Sequence, residues 1–235
     1  MIPILMGLTV ILFVVADLVS QSRRARRGQL AVVPAQGTAG VADLLLPGLQ
    51  PDRFLLPAGL FFHRGHTWAN LLFSGQVKVG IDDFLQKLIG RVDGITLPAV
   101  GMEIKEGQAF AGIRQGGRTL TLTAPVDGTV CAVNGELLKA PGLLKRDPYT
   151  RGWLVAFQPK DLTGQIGRMM VGDRAIDWLR NELGRLHGFL GEILSVHRDA
   201  LIGVTAADGG LVADGLLEHL DDETWAKFQA RFLRS

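Results

Sequence analysis

Hydrophobic positions follow three different patterns along this chain. The first has no periodicity: Met1 to Ser20 is a continuous apolar run whose only charge is Asp17. At 1.5 Å per residue a helix of that length spans about 30 Å, the thickness of a hydrocarbon core. The second is the alternation Gln76-Val77-Lys78-Val79-Gly80-Ile81, which has the two-residue period of a strand. Asp82 to Leu88 follows as a short helix with Asp82 as its N-cap. Short apolar pieces cut by glycine, proline and Asp-Gly turns come next: Val92 to Ile95, Glu103 to Gly107, Phe110 to Ile113, Leu120 to Ala124 and Thr129 to Val133. Many short strands at this spacing predict a small barrel or sandwich.

The third pattern is helical. From Met169 to Ser195, the residues Ile176, Leu179, Leu183, Leu186, Leu190 and Ile193 step by three and four, which places them on one stripe. Gly184, Gly188 and Gly191 interrupt that helix and lower its propensity, so the expectation is that another backbone approaches closely there. Asp208-Gly209-Gly210 reads as a turn between two short strands, Leu201 to Thr205 and Leu211 to Ala213. Asp221 or Asp222 then caps a last helix that carries Trp225, Phe228 and Phe232 on one face. Both stripes are expected to pack within the chain, with one flank left free for a partner. Between the apolar run and the strands, Pro34, Pro47, Pro51 and Pro57 mark an irregular tether with a short apolar piece, Val41 to Leu46. The resulting division is an anchor over 1–22, a basic segment and linker over 23–59, a barrel over 60–160 and a mostly helical tail over 161–235.

Composition and charge sharpen this division. Hydrophobic residues are 47% of the 235, enough for a real core, and charged residues are 20%, which excludes disorder throughout. The formal net charge of +2 argues against a dedicated nucleic-acid binder. Basic charge is instead concentrated directly after the apolar run, at Arg23, Arg24, Arg26 and Arg27. A cleaved signal peptide has the opposite order, basic before apolar. The positive-inside rule therefore predicts a single-pass membrane protein, N-terminus outside and the rest cytoplasmic, with those four arginines at the lipid headgroups. The one cysteine, Cys131, excludes an internal disulfide and lies in an apolar strand as an expected buried, inert thiol.

Between His66 and Pro159 the chain resembles the glycine cleavage H protein family. The resemblance rests on His66-Thr67-Trp68, Val79-Gly80-Ile81-Asp82-Asp83-Phe84, Leu97-Pro98-Ala99-Val100-Gly101, Ala124-Pro125-Val126-Asp127-Gly128, Val133-Asn134, Asp147-Pro148-Tyr149 and Gly152-Trp153-Leu154, in that order. It implies a mainly β fold, a lipoyl/biotinyl-carrier-like barrel-sandwich, here with an N-terminal transmembrane helix and a C-terminal α-helical tail. In that family a lysine at a hairpin tip carries the lipoyl arm, eight residues before the proline of the Ala-Pro-Val motif. Counting back from Pro125 reaches Gly117, within Arg114-Gln115-Gly116-Gly117-Arg118. Amide formation needs a primary amine that can lose its proton, which a guanidinium does not supply. Lys105 and Lys139 match other turns of the barrel. The barrel is therefore expected to carry no lipoyl group, with the Gly-Gly pair making a tight two-residue turn.

The remaining candidates have structural readings. His63 and His66 are close in sequence, but no second cluster of ligands accompanies them, so no metal is expected; Asp221, Asp222 and Glu223 suit helix capping better than acid–base work. Neither glycine pair has the spacing of a phosphate loop. The expectation is a non-enzymatic structural or accessory subunit of a cytoplasm-facing membrane complex, for example photosynthetic or respiratory. It would have no cofactor, small-molecule substrate or nucleic acid, and its partners would be the bilayer and larger integral subunits. The alternative is a membrane-localised lipoyl-type carrier or regulatory component of glycine cleavage and one-carbon metabolism.

Overall fold

The computed structural model describes residues 51–196 and 214–233. The apolar run, the arginine cluster, most of the tether, the Val41 to Leu46 piece and the Leu201–Ala213 turn region lie outside the described residues. Among the described residues no helix is long and apolar enough to cross a membrane.

After a 3-10 turn at Pro51–Arg53, the described residues form nine strands, each antiparallel to its neighbours. They are β1 Phe61–His63, β2 Thr67–Leu71, β3 Val77–Ile81, β4 Gly94–Thr96, β5 Glu103–Ile104, β6 Ala109–Gln115, β7 Arg118–Thr123, β8 Gly128–Val133 and β9 Val155–Pro159. One sheet has the order β1-β2-β3-β9-β8-β5 and the other β4-β6-β7. Inward side chains alternate as the sequence pattern requires: Val77, Val79 and Ile81 of β3 are fully buried, whereas Lys78 lies over the Trp153 ring. Gly80 is needed because its register partner is Trp68, whose ring would sit 2.6 Å from an added Cβ.

The helices are α1 Asp83–Leu88, α2 Gly135–Lys139, α3 Leu143–Arg146, α4 Leu162–Ile166, α5 Asp173–Val196 and α6 Asp222–Phe232, with a 3-10 turn at Leu216–His219 before the last. Asp82 caps α1 by accepting from the Leu85 amide at 2.9 Å, and Asp221 caps α6 through the Thr224 amide at 2.7 Å. Both caps follow from a short acceptor side chain placed just before an apolar helix.

The motif residues behind the family resemblance tie distant parts of the barrel together. Trp68 Nε1 donates to the Pro148 carbonyl at 3.1 Å, and Asn134 Nδ2 donates to the carbonyls of Arg151 and Trp153 at 2.6 and 2.8 Å. The Tyr149 hydroxyl accepts from the Asp83 amide at 2.8 Å and donates to the Leu55 carbonyl at 2.6 Å. Leu55 also donates its amide to Asp83 at 2.8 Å, and its neighbours Phe54 and Leu56 are buried. The expected tether to residue 59 is therefore too long. From Phe54 the chain already belongs to the core, because two apolar side chains and two hydrogen bonds hold it there.

The tail packs on the barrel as one continuous core. Leu179, Leu183, Leu186 and Leu190 of α5 are buried, as are Trp225, Phe228 and Phe232 of α6. Phe228 and Phe232 stack with ring centroids 4.9 Å apart, and Phe232 reaches Phe84 of α1 at 6.0 Å. These seven side chains pack within the chain and offer no apolar stripe to a partner. The helix glycines depart from expectation in another way. Gly184, Gly188 and Gly191 are exposed, and among the described residues a Cβ at any of them would meet nothing within 4 Å. They lie on the exposed side of α5, away from the stripe, and no described backbone approaches them to offset their helix cost. Gly188→Ala is therefore expected to raise stability by about 0.5–1 kcal/mol, as read from chemical denaturation.

Cys131 is half-buried and not fully enclosed. It is the extra residue where the β8–β9 register shifts between Val130 and Ala132, and its thiol donates to the Ala156 carbonyl at 3.1 Å. The bulge accounts for the difference, since it breaks the strict in–out alternation of the strand.

Candidate functional site

Two places concentrate polar chemistry, the β6–β7 hairpin tip and a buried charged centre between barrel and tail. The hairpin closes through the pair Gln115 and Arg118, with Gly116 and Gly117 between them at φ 56° and 82°. Positive φ at both central positions defines the primed two-residue turn that glycine favours. Gly117, the position to which the family resemblance assigns the lipoyl-bearing lysine, is thus exposed at the very tip. Lys105 lies in the β5–β6 turn and Lys139 ends α2.

The hairpin is braced from both sides. The Gly116 amide donates to Asp93 Oδ2 at 2.8 Å, and this bond holds the Asp93 carboxyl below the usual carboxylate range. Arg118 turns toward the tail: its guanidinium donates to the carbonyls of Leu220 and Glu218 and stands 4.6 Å from the Trp225 ring centre. Further along β7, the Thr121 amide donates to Gln229 Oε1 at 3.0 Å and the Thr123 hydroxyl to the Leu233 carbonyl at 3.3 Å. α6 therefore lies along the strand that leads away from the tip. A cleft of about 460 Å³ beside the tip is lined by Arg91, Asp93, Gln115, Gly116, Arg118 and Glu218.

The second centre is His66. Its backbone sits at φ 57°, the left-handed region that costs a non-glycine residue energy. The ring is fully buried and stacked on Phe84, with centroids 4.1 Å apart and planes 11° apart. Nδ1 lies 2.8 Å from Asp82 Oδ2, the same carboxylate group that caps α1. Nε2 faces Glu182 of α5 at 3.7 Å, an ion-pair separation longer than a hydrogen bond. Glu182 is in turn held by Arg185 Nη1 at 2.6 and 2.8 Å, and the Arg185 guanidinium lies 5.0 Å from the Phe232 ring centre. Burial pulls the His66 pKa down, but the Asp82 and Glu182 carboxylates outweigh it and raise the pKa to about 9. Burial also pushes the Glu182 carboxyl up; the imidazolium and Arg185 overcome this and hold it low. His63, buried nearby, is pushed down to about 4 chiefly by burial, which the Glu106 carboxylate only partly opposes.

An aspartate–histidine–glutamate row resembles an acid–base relay, but all three groups are buried, and among the described residues the ring's polar partners are the two carboxylates, with no hydroxyl or thiol hydrogen-bonded to it. What it does chemically is hold one positive charge between two negative ones, with one carboxylate from the barrel and one from the tail. Among the described residues no group of three histidine, cysteine or acidic side chains has the arrangement to hold a metal ion.

The glycine cleavage H-protein family model matches residues 60–181, more than half of the chain. The chain belongs to this family. It is 30% identical over 133 residues to a probable glycine cleavage system H protein of Pyrococcus abyssi, covering 57% of this chain and 98% of the relative. It is 38% identical over 112 residues to the glycine cleavage system H protein of Mycolicibacterium vanbaalenii, covering 48% of this chain and 86% of the relative. A crystal structure of a glycine cleavage system H protein from Mycobacterium marinum aligns over 48% of this chain and 98% of that one, at 24% identity and a TM-score of 0.42.

The H-protein match ends one residue before Glu182. His66 and Asp82 thus lie inside the matched span, whereas the tail carboxylate that completes their charge lies just beyond it. Sequence reasoning kept His66 as structural and Asp82 as a cap but missed Glu182 and Arg185. The available signal was an acid and a base three apart on α5, with the acid beside the apolar stripe. The arginines 23, 24, 26 and 27 lie outside the described residues.

Proposed function

We propose that the protein is a non-lipoylated, non-enzymatic H-protein-like subunit that works by contact, as a membrane-held structural component of a larger cytoplasm-facing complex. The observation that carries this reading is the hairpin tip. The carrier position of the family is Gly117, in a primed turn built from two glycines, and no lysine stands within the hairpin. A swinging arm also needs a tip that presents its side chain freely, whereas this hairpin is tied to the tail through Arg118, Thr121 and Thr123. Support for the membrane location comes from sequence alone, the apolar run from Met1 to Ser20 followed by four arginines.

The test is gentle detergent extraction from the native host followed by a native gel and identification of what migrates with the chain. The expected result is a discrete larger assembly containing integral membrane proteins. A lone monomer, extracted without detergent, would contradict both the location and the role.

A further inference from the structure

We propose that the groove between the segment Arg53 to Leu60, helix α1 and the loop after α3 is the face this domain turns toward anionic phospholipid headgroups. The inference rests on the membrane-held reading above and adds a binding surface to it. The groove has a volume of about 670 Å³. Leu55, Pro57 and Tyr149 contribute an apolar floor, and Arg53, Lys87, Lys145 and Arg146 contribute a basic rim.

Two acids also line it, and both are engaged inside the protein. Asp83 accepts from the Leu55 amide and pairs with Lys87 at 3.1 Å, and Asp147 accepts from the Thr150 hydroxyl at 2.5 Å. Lys145 is committed to the Ile89 carbonyl and stands 3.4 Å from Asp214. Arg53 and Arg146 are exposed and make no ion pair among the described residues. What remains is a concave apolar surface with two uncommitted guanidinium groups at its mouth. That combination fits an amphiphile with a negative head, because the guanidinium fork matches phosphate oxygens while the floor takes up adjoining hydrocarbon.

The position of the groove agrees with this occupant. The described chain starts at Pro51, two residues from Arg53, and the preceding segment leads back to the apolar run and its arginines. Within a Debye length of an anionic leaflet a face with unpaired positive charge is attracted, and this one begins two residues from Pro51.

The experiment uses the full chain in nanodiscs of phosphatidylcholine alone and of phosphatidylcholine with phosphatidylglycerol, read by amide hydrogen exchange. Exchange across residues 143–150 is expected to slow about five-fold or more in the anionic discs, the factor one basic side chain contributes at such a surface. High salt and the double change Arg53→Glu and Arg146→Glu should abolish the difference. The milder pair Arg53→Gln and Arg146→Gln, with an unchanged melting curve, should reduce it. Equal exchange in both disc types would overturn the inference while leaving the anchored reading intact. The same protection from inorganic phosphate in detergent would make it a small-anion site and overturn the lipid assignment. Failure of the chain to enter discs of either composition would overturn the anchored reading and this inference with it.

Discussion

His66→Leu is expected to destabilise the fold by about 3–5 kcal/mol, the cost of removing one partner from a buried charged group. Leucine fills the space against Phe84 but leaves Asp82 and Glu182 buried, negative and facing one another across the ring's former position. It also keeps the left-handed backbone without the polar contacts that hold it. Glu182→Gln is expected to cost less, because it removes one negative charge and leaves the His66–Asp82 pair intact. Chemical denaturation of the wild type and the two variants at neutral pH checks the order. Equal stability for wild type and His66→Leu would mean that the charged centre contributes nothing.

The same centre sets a pH dependence whose sign follows from the two histidines. His66 binds its proton more tightly when folded, at about 9 against 6.5 unfolded. Its contribution is therefore complete below pH 6.5 and is lost as pH rises from there through about 9. His63 behaves oppositely. Its folded value is about 4, so the unfolded chain gains a proton first as pH falls below 6.5, and stability drops on the acid side. Together they predict a stability maximum near pH 6.5. In His66→Leu the alkaline limb should flatten, and in His63→Gln the acid limb should flatten. A wild-type profile that keeps rising to pH 9 would contradict the assignment of charge to His66.

Leu183→Asp is the second change expected to have a large effect. Leu183 is 3% exposed on the face of α5 that meets the barrel and α6. Losing a buried leucine alone costs about 2–5 kcal/mol, and the new carboxylate has no partner there. The tail should undock, exposing α5 and α6 to protease while the sheets persist. Limited proteolysis with fragment mass analysis checks this. If both proteins are cut in the tail at the same rate, the packing of α5 on the barrel is wrong.

Local chemistry made much of the fold legible in the sequence. Asp82 and Asp221 are short acceptors just before apolar helices, the β3 pattern alternates strictly, and the α5 stripe repeats over six apolar positions. Each is decided by neighbours within one element. The hairpin tip was legible for the same reason, because two consecutive glycines between strand-like segments leave few other turns. What the sequence hid depends on contacts between distant segments. Glu182 becomes the partner of His66 only after α5 folds across the barrel. Phe54 and Leu56 lie among prolines that mimic a tether, and only Tyr149 and Asp83 reveal that they are held. The α5 glycines misled because helix cost alone does not say which side of the helix a glycine faces; here it is the exposed side.

The central claim is that this H-protein-family barrel carries no lipoyl group. Intact-mass measurement of the chain purified from its native host tests it most directly. The account predicts the mass of the unmodified polypeptide, apart from processing at its ends, and no modified lysine in the peptide map. A lipoyl increment on any of the seven lysines would contradict it and make the protein a carrier.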